Sequence, residues 1–122
     1  MKKIKLCFAG IVVFAAAGLA AEPTVMHCFA FTPVAGATQA DWDAWYKATD
    51  ALPKKISGLK RVWYGKLRRP MQKREYAACM EFENEAAFDK YGPHPEHKAW
   101  EAVYGKVREP GTTTYQILPV KK

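Results

Sequence analysis

The chain has 122 residues, of which 19 are Lys or Arg and 12 are Asp or Glu, so its formal net charge is +7. This length allows one domain with a core of limited depth. Three of the 19 cations, Lys2, Lys3 and Lys5, lie at the N-terminus. Without these three lysines, 16 cations face 12 acids and the net charge is +4, which is too modest to indicate a nucleic-acid surface.

The N-terminus has the three parts of a secretory signal peptide. Residues 1–5 are basic, residues 6–17 are apolar, and residues 18–21 are small. The apolar part is shorter than the about 20 residues that a membrane-spanning helix needs. We therefore expect residues 1–21 to be a signal peptide cleaved near Ala20 or Ala21, and the mature protein to be periplasmic or secreted and free of the membrane.

The first half of the mature sequence predicts a strand, a helix and two further strands. Residues 25–31 are apolar and aromatic and stop before Pro33 and Gly36, which is typical of a central strand. Thr38 and Asp41 have the spacing of a capping box. An apolar stripe at helical spacing follows, formed by Trp42, Trp45, Thr49 and Leu52. Two strands are predicted over residues 59–67 and 75–82, joined by a basic loop.

The second half predicts a broken helix and a last strand. Asn84 can cap a helix that Gly92 and Pro93 interrupt, and Pro95 suits the first turn of its continuation. Gly105 ends that continuation, and residues 112–118 form the final strand. The order βαββαβ gives an α+β fold with a four-stranded antiparallel sheet, whose helices cover one face. The uncovered face, with Met26, Cys28 and Ala30, is expected to pair with a second copy.

Cys28 and Cys79 lie mid-strand and survive removal of the signal peptide. Their strands are predicted to be adjacent and antiparallel, with both thiols on the uncovered face. A bridge within or between subunits is one outcome of this placement. Two cysteines do not make a disulfide framework, however, and buried free cysteines are common, so we expect free thiols.

Residues 91–97, with the sequence YGPHPEH, are the most specific motif in the chain. His97 falls in a first helical turn, where the helix dipole favours a neutral imidazole. We expect His94 to cap this turn rather than to act in catalysis. His97 either satisfies a buried carbonyl or serves as a base, and the sequence leaves both roles open.

An aromatic cavity is predicted between the sheet and the helices, near Tyr91 and His97. Its candidate ligand-binding residues are His27, Phe29, Trp45, Ala78, Met80 and Trp100. Such a stripe is also typical of a plain packed core.

Several motifs together resemble the Dabb family, the stress-responsive dimeric α/β-barrel domain, over residues 24–120. They are Met26-His27, Leu52-Pro53, Val62-Trp63-Tyr64-Gly65, Glu81-Phe82-Glu83, and Tyr91 with His94-Pro95-x-His97. The resemblance implies a ferredoxin-like fold and a homodimer in which two sheets form a barrel.

The resemblance also implies a chemistry for the motif. In the polyketide cyclases of the family, a Tyr and a His at the positions of Tyr91 and His97 handle aldol-type ring closure, the His as base and the Tyr as donor to an oxyanion. His27 matches a polar pocket residue of that branch. Trp45, Ala78 and Trp100 depart from its pocket, so its substrate is not carried over.

Other ligand classes are disfavoured. His27, His94 and His97 have no aligned acidic or thiolate partner, so we expect no metal, and no nucleotide-binding loop or redox motif indicates a cofactor. We expect the basic loop to be exposed to solvent rather than to bind an anionic partner. Its cations are Lys66, Arg68, Arg69, Lys73 and Arg74. RNA binding is disfavoured by export and by the lack of an RNP-type strand.

The sequence thus predicts an exported Dabb-type homodimer with a small pocket for a hydrophobic or aromatic molecule. Its first predicted function is small-molecule binding or a stress-associated role without catalysis. The second is a cofactor-independent lyase, cyclase or isomerase, with His97 as base and Tyr91 as acid or oxyanion donor.

Overall fold

The computed structural model describes residues 23–120, so the predicted signal peptide at residues 1–21 lies outside the described residues. Its elements are β1 (Val25–Phe31), α1 (Gln39–Lys55), β2 (Leu59–Met71), β3 (Arg74–Phe82), α2 (Glu85–Tyr91), α3 (Pro95–Tyr104) and β4 (Thr113–Ile117). The strands form one antiparallel sheet in the order β2-β3-β1-β4. This is the predicted ferredoxin-like α+β fold.

Local side-chain bonds begin the first two helices where the sequence predicted. At α1, the Thr38 hydroxyl accepts from the Asp41 amide at 3.2 Å, and the Asp41 carboxylate accepts from the Thr38 amide at 3.0 Å. At α2, the Asn84 side-chain oxygen accepts from the Ala87 amide at 2.8 Å. Each contact satisfies a backbone N–H that the first helical turn leaves without a partner.

The predicted basic loop between β2 and β3 is mostly strand, which corrects the expectation. β2 continues to Met71, β3 starts at Arg74, and only two residues form the turn. Gln72 in this turn has a φ of 57°. Pro70 is tolerated because β2 is an edge strand and its regular pairing lapses between Lys66 and Met71.

The expectation of free thiols is wrong, because Cys28 and Cys79 form a disulfide. The β1–β3 register places them directly opposite each other, with their Cα atoms 4.1 Å apart. Directly opposed residues of an antiparallel pair share a face and sit within reach of a bridge. The predicted strands and faces were right, but register is set by long-range packing that the sequence pattern did not supply.

The sheet face away from the helices carries a broad apolar surface, which we call the outer sheet face. The disulfide lies at its centre, between Trp63 on β2 and Tyr115 on β4. Trp63, Tyr115 and Ile117 are 43%, 46% and 52% exposed, whereas Cys28 and Ala30 are already buried. Large aromatic and aliphatic side chains exposed together on one face are typical of an interface.

The core lies between the other sheet face and the helices. Its largest fully buried side chains include Trp45 of α1, Phe31 of β1, and Met80 and Phe82 of β3. Phe31 meets Trp45 edge to face at 5.5 Å between ring centroids, an arrangement that aromatic pairs prefer. No helix within residues 23–120 is long and apolar enough to cross a membrane.

Candidate functional site

The helix break at residues 92–94 positions the site. α2 ends at Tyr91, and the chain turns through Gly92 and Pro93 before α3 begins. His94 is the N-cap of α3, since its Nδ1 accepts from the Glu96 amide at 3.1 Å. The predicted capping role of His94 is therefore present in the structure, and His94 does not line the cavity described below.

The break brings Tyr91 and His97 together, with 4.1 Å between their ring centroids. His97 Nδ1 lies 3.0 Å from the carbonyl oxygen of Gly92. Because a carbonyl only accepts, Nδ1 carries the proton and donates it, which leaves Nε2 as the nitrogen that can take up a proton. The Glu101 carboxylate lies 3.7 Å from Nε2. The hydrogen bond to Gly92 thus orients the His97 ring, and Glu101 places a negative charge near its other nitrogen.

The Tyr91 hydroxyl is buried and has no hydrogen-bond partner within residues 23–120. Burial raises the pKa of Tyr91, with smaller contributions from Glu101 and Tyr104. The phenol therefore stays protonated at neutral pH and is a hydrogen-bond donor without an acceptor. An unsatisfied buried donor costs about 1–3 kcal/mol, so a ligand that accepts from it gains that free energy.

His27 of β1 adds a third polar side chain. Its Nδ1 is 3.0 Å from the side-chain nitrogen of Gln116, a contact in which the amide donates if His27 is protonated on Nε2. Burial, and secondarily the neighbouring His97, lowers the pKa of His27 to about 4. His27 is therefore neutral at physiological pH.

These side chains line a cavity of about 410 Å³ between the sheet and the helices. Its walls are mainly aromatic, and its polar side chains come from β1, from the motif, from α3, from the loop after α3 and from β4. The lining residues are His27, Phe29, Phe88, Tyr91, Gly92, His97, Trp100, Glu101, Tyr104, Arg108, Thr112 and Thr114.

A comparison of the sequence with known protein families gives one match that agrees with the fold and the motif. The sequence profile of the Dabb family, the stress-responsive A/B barrel domain, matches residues 25–114. The chain belongs to the Dabb family. No curated protein sequence matches it.

Solved structures with the same fold include proteins of unknown and of known activity. A dimeric ferredoxin-like protein of unknown function from Bacteroides fragilis is 23% identical, with a TM-score of 0.63 over 78% of this chain and 95% of that one. A Dabb family protein from Mesorhizobium loti is 18% identical, with a TM-score of 0.66 over 82% and 100%. A hydroxynitrile lyase from Passiflora edulis is 13% identical, with a TM-score of 0.70 over 84% and 97%. At these identities the likeness concerns the fold.

The predicted site residues of this Dabb domain fall into two groups. His27, Phe29, Tyr91, His97 and Trp100 line the cavity. Trp45, Ala78 and Met80 are instead buried in the core, at 0%, 1% and 0% exposure, and do not line it.

Trp45, one of these core residues, still supports the cavity wall through a chain of hydrogen bonds. The Trp100 indole donates to the Thr49 hydroxyl at 2.9 Å, and that hydroxyl donates to the Trp45 carbonyl at 2.7 Å. The bonds fix the orientation of the Trp100 ring. Trp45 thus positions the wall through its backbone rather than through contact with the cavity.

Sequence reasoning missed several wall residues. Glu101 and Tyr104 follow His97 at four and seven residues, so helical spacing could have placed them on the same face of α3. Arg108, Thr112 and Thr114 come from the following loop and β4, for which no local pattern was available. Within residues 23–120, no group of three or more His, Cys, Asp or Glu side chains is arranged to hold a metal ion.

Proposed function

We propose that this Dabb protein is an exported homodimer that binds a small, mainly aromatic molecule in the helix-side cavity of each subunit. The volume of this cavity lies within the roughly 300–1,000 Å³ typical of ligand pockets. The walls are mainly aromatic and carry polar groups at defined positions, which is the usual composition of such sites.

The unsatisfied hydroxyl of Tyr91 is the observation that carries this proposal. Most buried polar groups in native proteins are paired, so a buried donor without an acceptor, on a residue that lines a cavity, favours an incoming acceptor. His97 lies against the same ring, its Nδ1 donates to the Gly92 carbonyl, and its Nε2 makes no hydrogen bond within residues 23–120. A ligand carbonyl can accept from the Tyr91 hydroxyl, and a ligand hydroxyl or amide N–H can donate to His97 Nε2.

Binding is tested with cinnamamide, a neutral aromatic molecule that carries a carbonyl, by isothermal titration calorimetry. Thr114 is exposed on β4 and lines the cavity, so Thr114→Phe fills part of the volume without disturbing the core. We expect saturable binding to the wild type, at least about tenfold weaker binding to Thr114→Phe, and unchanged binding to the isosteric Thr114→Val. Equal affinities for all three would place the binding elsewhere.

The homodimer is supported by the outer sheet face, whose Trp63, Tyr115 and Ile117 are exposed. The Bacteroides fragilis protein of the same fold is dimeric. Pairing two outer sheet faces would bury these side chains and leave the helix-side cavities open.

Export is supported by the signal-like pattern of residues 1–21 and by the Cys28–Cys79 disulfide, a bond that persists in oxidising compartments. Mass spectrometry of the protein from the periplasm or the medium tests it. We expect an N-terminus at Ala21 or Glu22. An intact Met1 in that fraction contradicts export.

A second function, cofactor-independent acid–base catalysis, is favoured by the contact between Tyr91 and His97. His97 Nε2 would take a proton from the substrate, and the Tyr91 hydroxyl would donate a hydrogen bond to an oxygen that gains negative charge. The hydroxynitrile lyase from Passiflora edulis shares the fold. A lyase step of that class is therefore a direct test.

Mandelonitrile serves as the probe. His97 would accept the hydroxyl proton as the carbon–cyanide bond breaks, cyanide would leave with the bonding electrons, and the proton would pass to it, giving benzaldehyde and hydrogen cyanide. If the site is catalytic, benzaldehyde forms faster than in buffer, and His97→Gln removes the excess rate. Equal rates with and without the protein contradict a lyase of this class and leave binding as the function.

A further inference from the structure

A row of stacked side chains runs along the cavity wall from His97 to Arg108. The ring centroids of His97 and Trp100 are 5.9 Å apart, and those of Trp100 and Tyr104 are 4.7 Å apart. The Arg108 guanidinium carbon then lies 4.7 Å from the Tyr104 centroid. His97 and Tyr104 are seven residues apart on α3, which corresponds to about 10 Å along a helix. The row therefore joins the proton-handling pair to a cation.

Arg108 has no carboxylate partner within residues 23–120. Among the described residues, the one hydrogen bond of its side chain runs from Nη1 to the Glu109 carbonyl at 3.5 Å, and its buried Nε has no partner there. Tyr104 covers the face of the guanidinium, but a cation–π contact does not satisfy the N–H groups on its edge. A charged donor in this state needs an acceptor.

The charges around the cavity are distributed unevenly. Glu101 lies beside His97, while Arg108 lies at the Tyr104 end. Three other wall residues are uncharged at neutral pH. Burial lowers the pKa of His27 to about 4, raises the pKa of Tyr104 to about 12, and also raises the pKa of Tyr91. His97 donates to the Gly92 carbonyl, and the Glu101 carboxylate lies 3.7 Å from its other ring nitrogen.

A second cation strengthens this asymmetry. Arg74 does not line the cavity, but its Nε donates to the Thr113 hydroxyl and its Nη1 to the Thr32 hydroxyl, both at 3.2 Å. Arg74 and Arg108 both act electrostatically on the Tyr104 hydroxyl, which contacts Thr112 at 3.2 Å. The Tyr104 end of the cavity is thus electropositive and rich in hydroxyl groups.

We propose that Arg108 selects aromatic carboxylates as the ligands of this cavity, with the carboxylate on the guanidinium and the ring along Trp100 and Tyr104. This deepens the proposed binding function and rests on it. The carboxylate is held away from the like charge of Glu101, and the opposite end of the ligand meets Tyr91 and His97. The dipole of α3 opposes an anion near its C-terminus by about two- to fivefold in affinity, less than the tenfold or more of a charge-assisted hydrogen bond.

The experiment compares cinnamate with cinnamamide, which differ in charge but little in shape, by calorimetry on the mature disulfide-bonded protein. For the wild type we expect cinnamate to bind at least about tenfold more tightly. In Arg108→Gln the affinity for cinnamate should fall about tenfold, while that for cinnamamide changes less than about twofold. Arg108→Lys, which keeps the charge and loses the planar fork, should lie between. Arg69→Gln, on the exposed β2–β3 hairpin, is the matched control and should behave as the wild type.

The outcomes distinguish failure of the Arg108 proposal from failure of the binding site itself. Equal wild-type affinities for the two probes, or an equal loss of both in Arg108→Gln, overturn selection by Arg108 but keep the cavity as a binding site. Saturable binding of neither probe overturns both proposals. Should Arg108→Gln fail to fold by circular dichroism, the wild-type comparison and Arg108→Lys still decide the question.

Discussion

The rings of Tyr91 and His97 lie 4.1 Å apart although Gly92 and Pro93 break the helix between them. A continuous helix would place residues six apart on different faces. The break therefore creates the contact, and His94 and Pro95 fix it by starting α3 at a defined point. The site depends on this interruption of the helix.

The variant Tyr91→Phe tests whether the Tyr91 hydroxyl binds ligand or stabilises the fold. The hydroxyl has no partner within the described residues, so its removal should leave the free energy of unfolding unchanged or slightly higher. The affinity for cinnamamide should fall about two- to tenfold. Tyr104→Phe is the stability control, since it removes a hydroxyl bonded to Thr112 and should cost about 1 kcal/mol. A similar loss of stability in Tyr91→Phe would assign its hydroxyl a structural role.

His27 should make folding stability depend on pH. Its pKa is about 4 in the folded protein and about 6.5 in the unfolded chain, so the unfolded state binds the extra proton first. Stability is then complete above about pH 6.5 and declines as the pH falls towards 4. Because His27 is partly exposed, the contribution is about 1–2 kcal/mol after screening. Urea denaturation of the wild type and His27→Gln at fixed protein concentration measures it. Parallel pH profiles for the two would contradict the assignment.

Removing the disulfide should lower stability. The bridge joins residues 51 apart in sequence and restricts the conformations that the unfolded chain can adopt. The double substitution Cys28→Ser with Cys79→Ser should cost about 2–4 kcal/mol. The wild type with its disulfide reduced is the matched control, and its urea midpoint should be nearly the same as that of the double variant. An unchanged midpoint in the double variant would show that the bond does not stabilise this fold.

Tyr115→Lys tests the outer sheet face. Tyr115 lies beside the disulfide and is 46% exposed, so a lysine there places a charge in the centre of the proposed dimer interface. We expect light scattering at micromolar concentration to give a dimer for the wild type and a monomer for this variant. Ala99→Lys adds the same charge on the exposed surface of α3 and should remain dimeric. A wild type that is monomeric under these conditions excludes the dimer.

Much of the fold could be predicted because short-range patterns determine it. The strand β1, the capping residues Thr38, Asn84 and His94, and the break at Gly92 are all specified within a few residues. The β2–β3 hairpin was misjudged because Pro70 usually ends a strand, and only its edge position makes it acceptable there.

The site was predicted less completely, because its walls come from distant parts of the chain. The motif indicated Tyr91 and His97, and strand alternation indicated His27 and Phe29. The same alternation could not separate a core residue such as Met80 from a wall residue, since both face the helices. Arg108 and the Cys28–Cys79 pairing depend on loop path and strand register, which no local pattern encodes.

The most direct test of a ligand site in the helix-side cavity is heteronuclear NMR of the labelled protein titrated with cinnamate and, separately, with cinnamamide. The account predicts saturable shifts centred on the Trp100 indole and on the backbone of His97, Tyr104 and Arg108. Shifts confined to Trp63 and Tyr115 on the outer sheet face, or no saturable shifts with either probe, would contradict it.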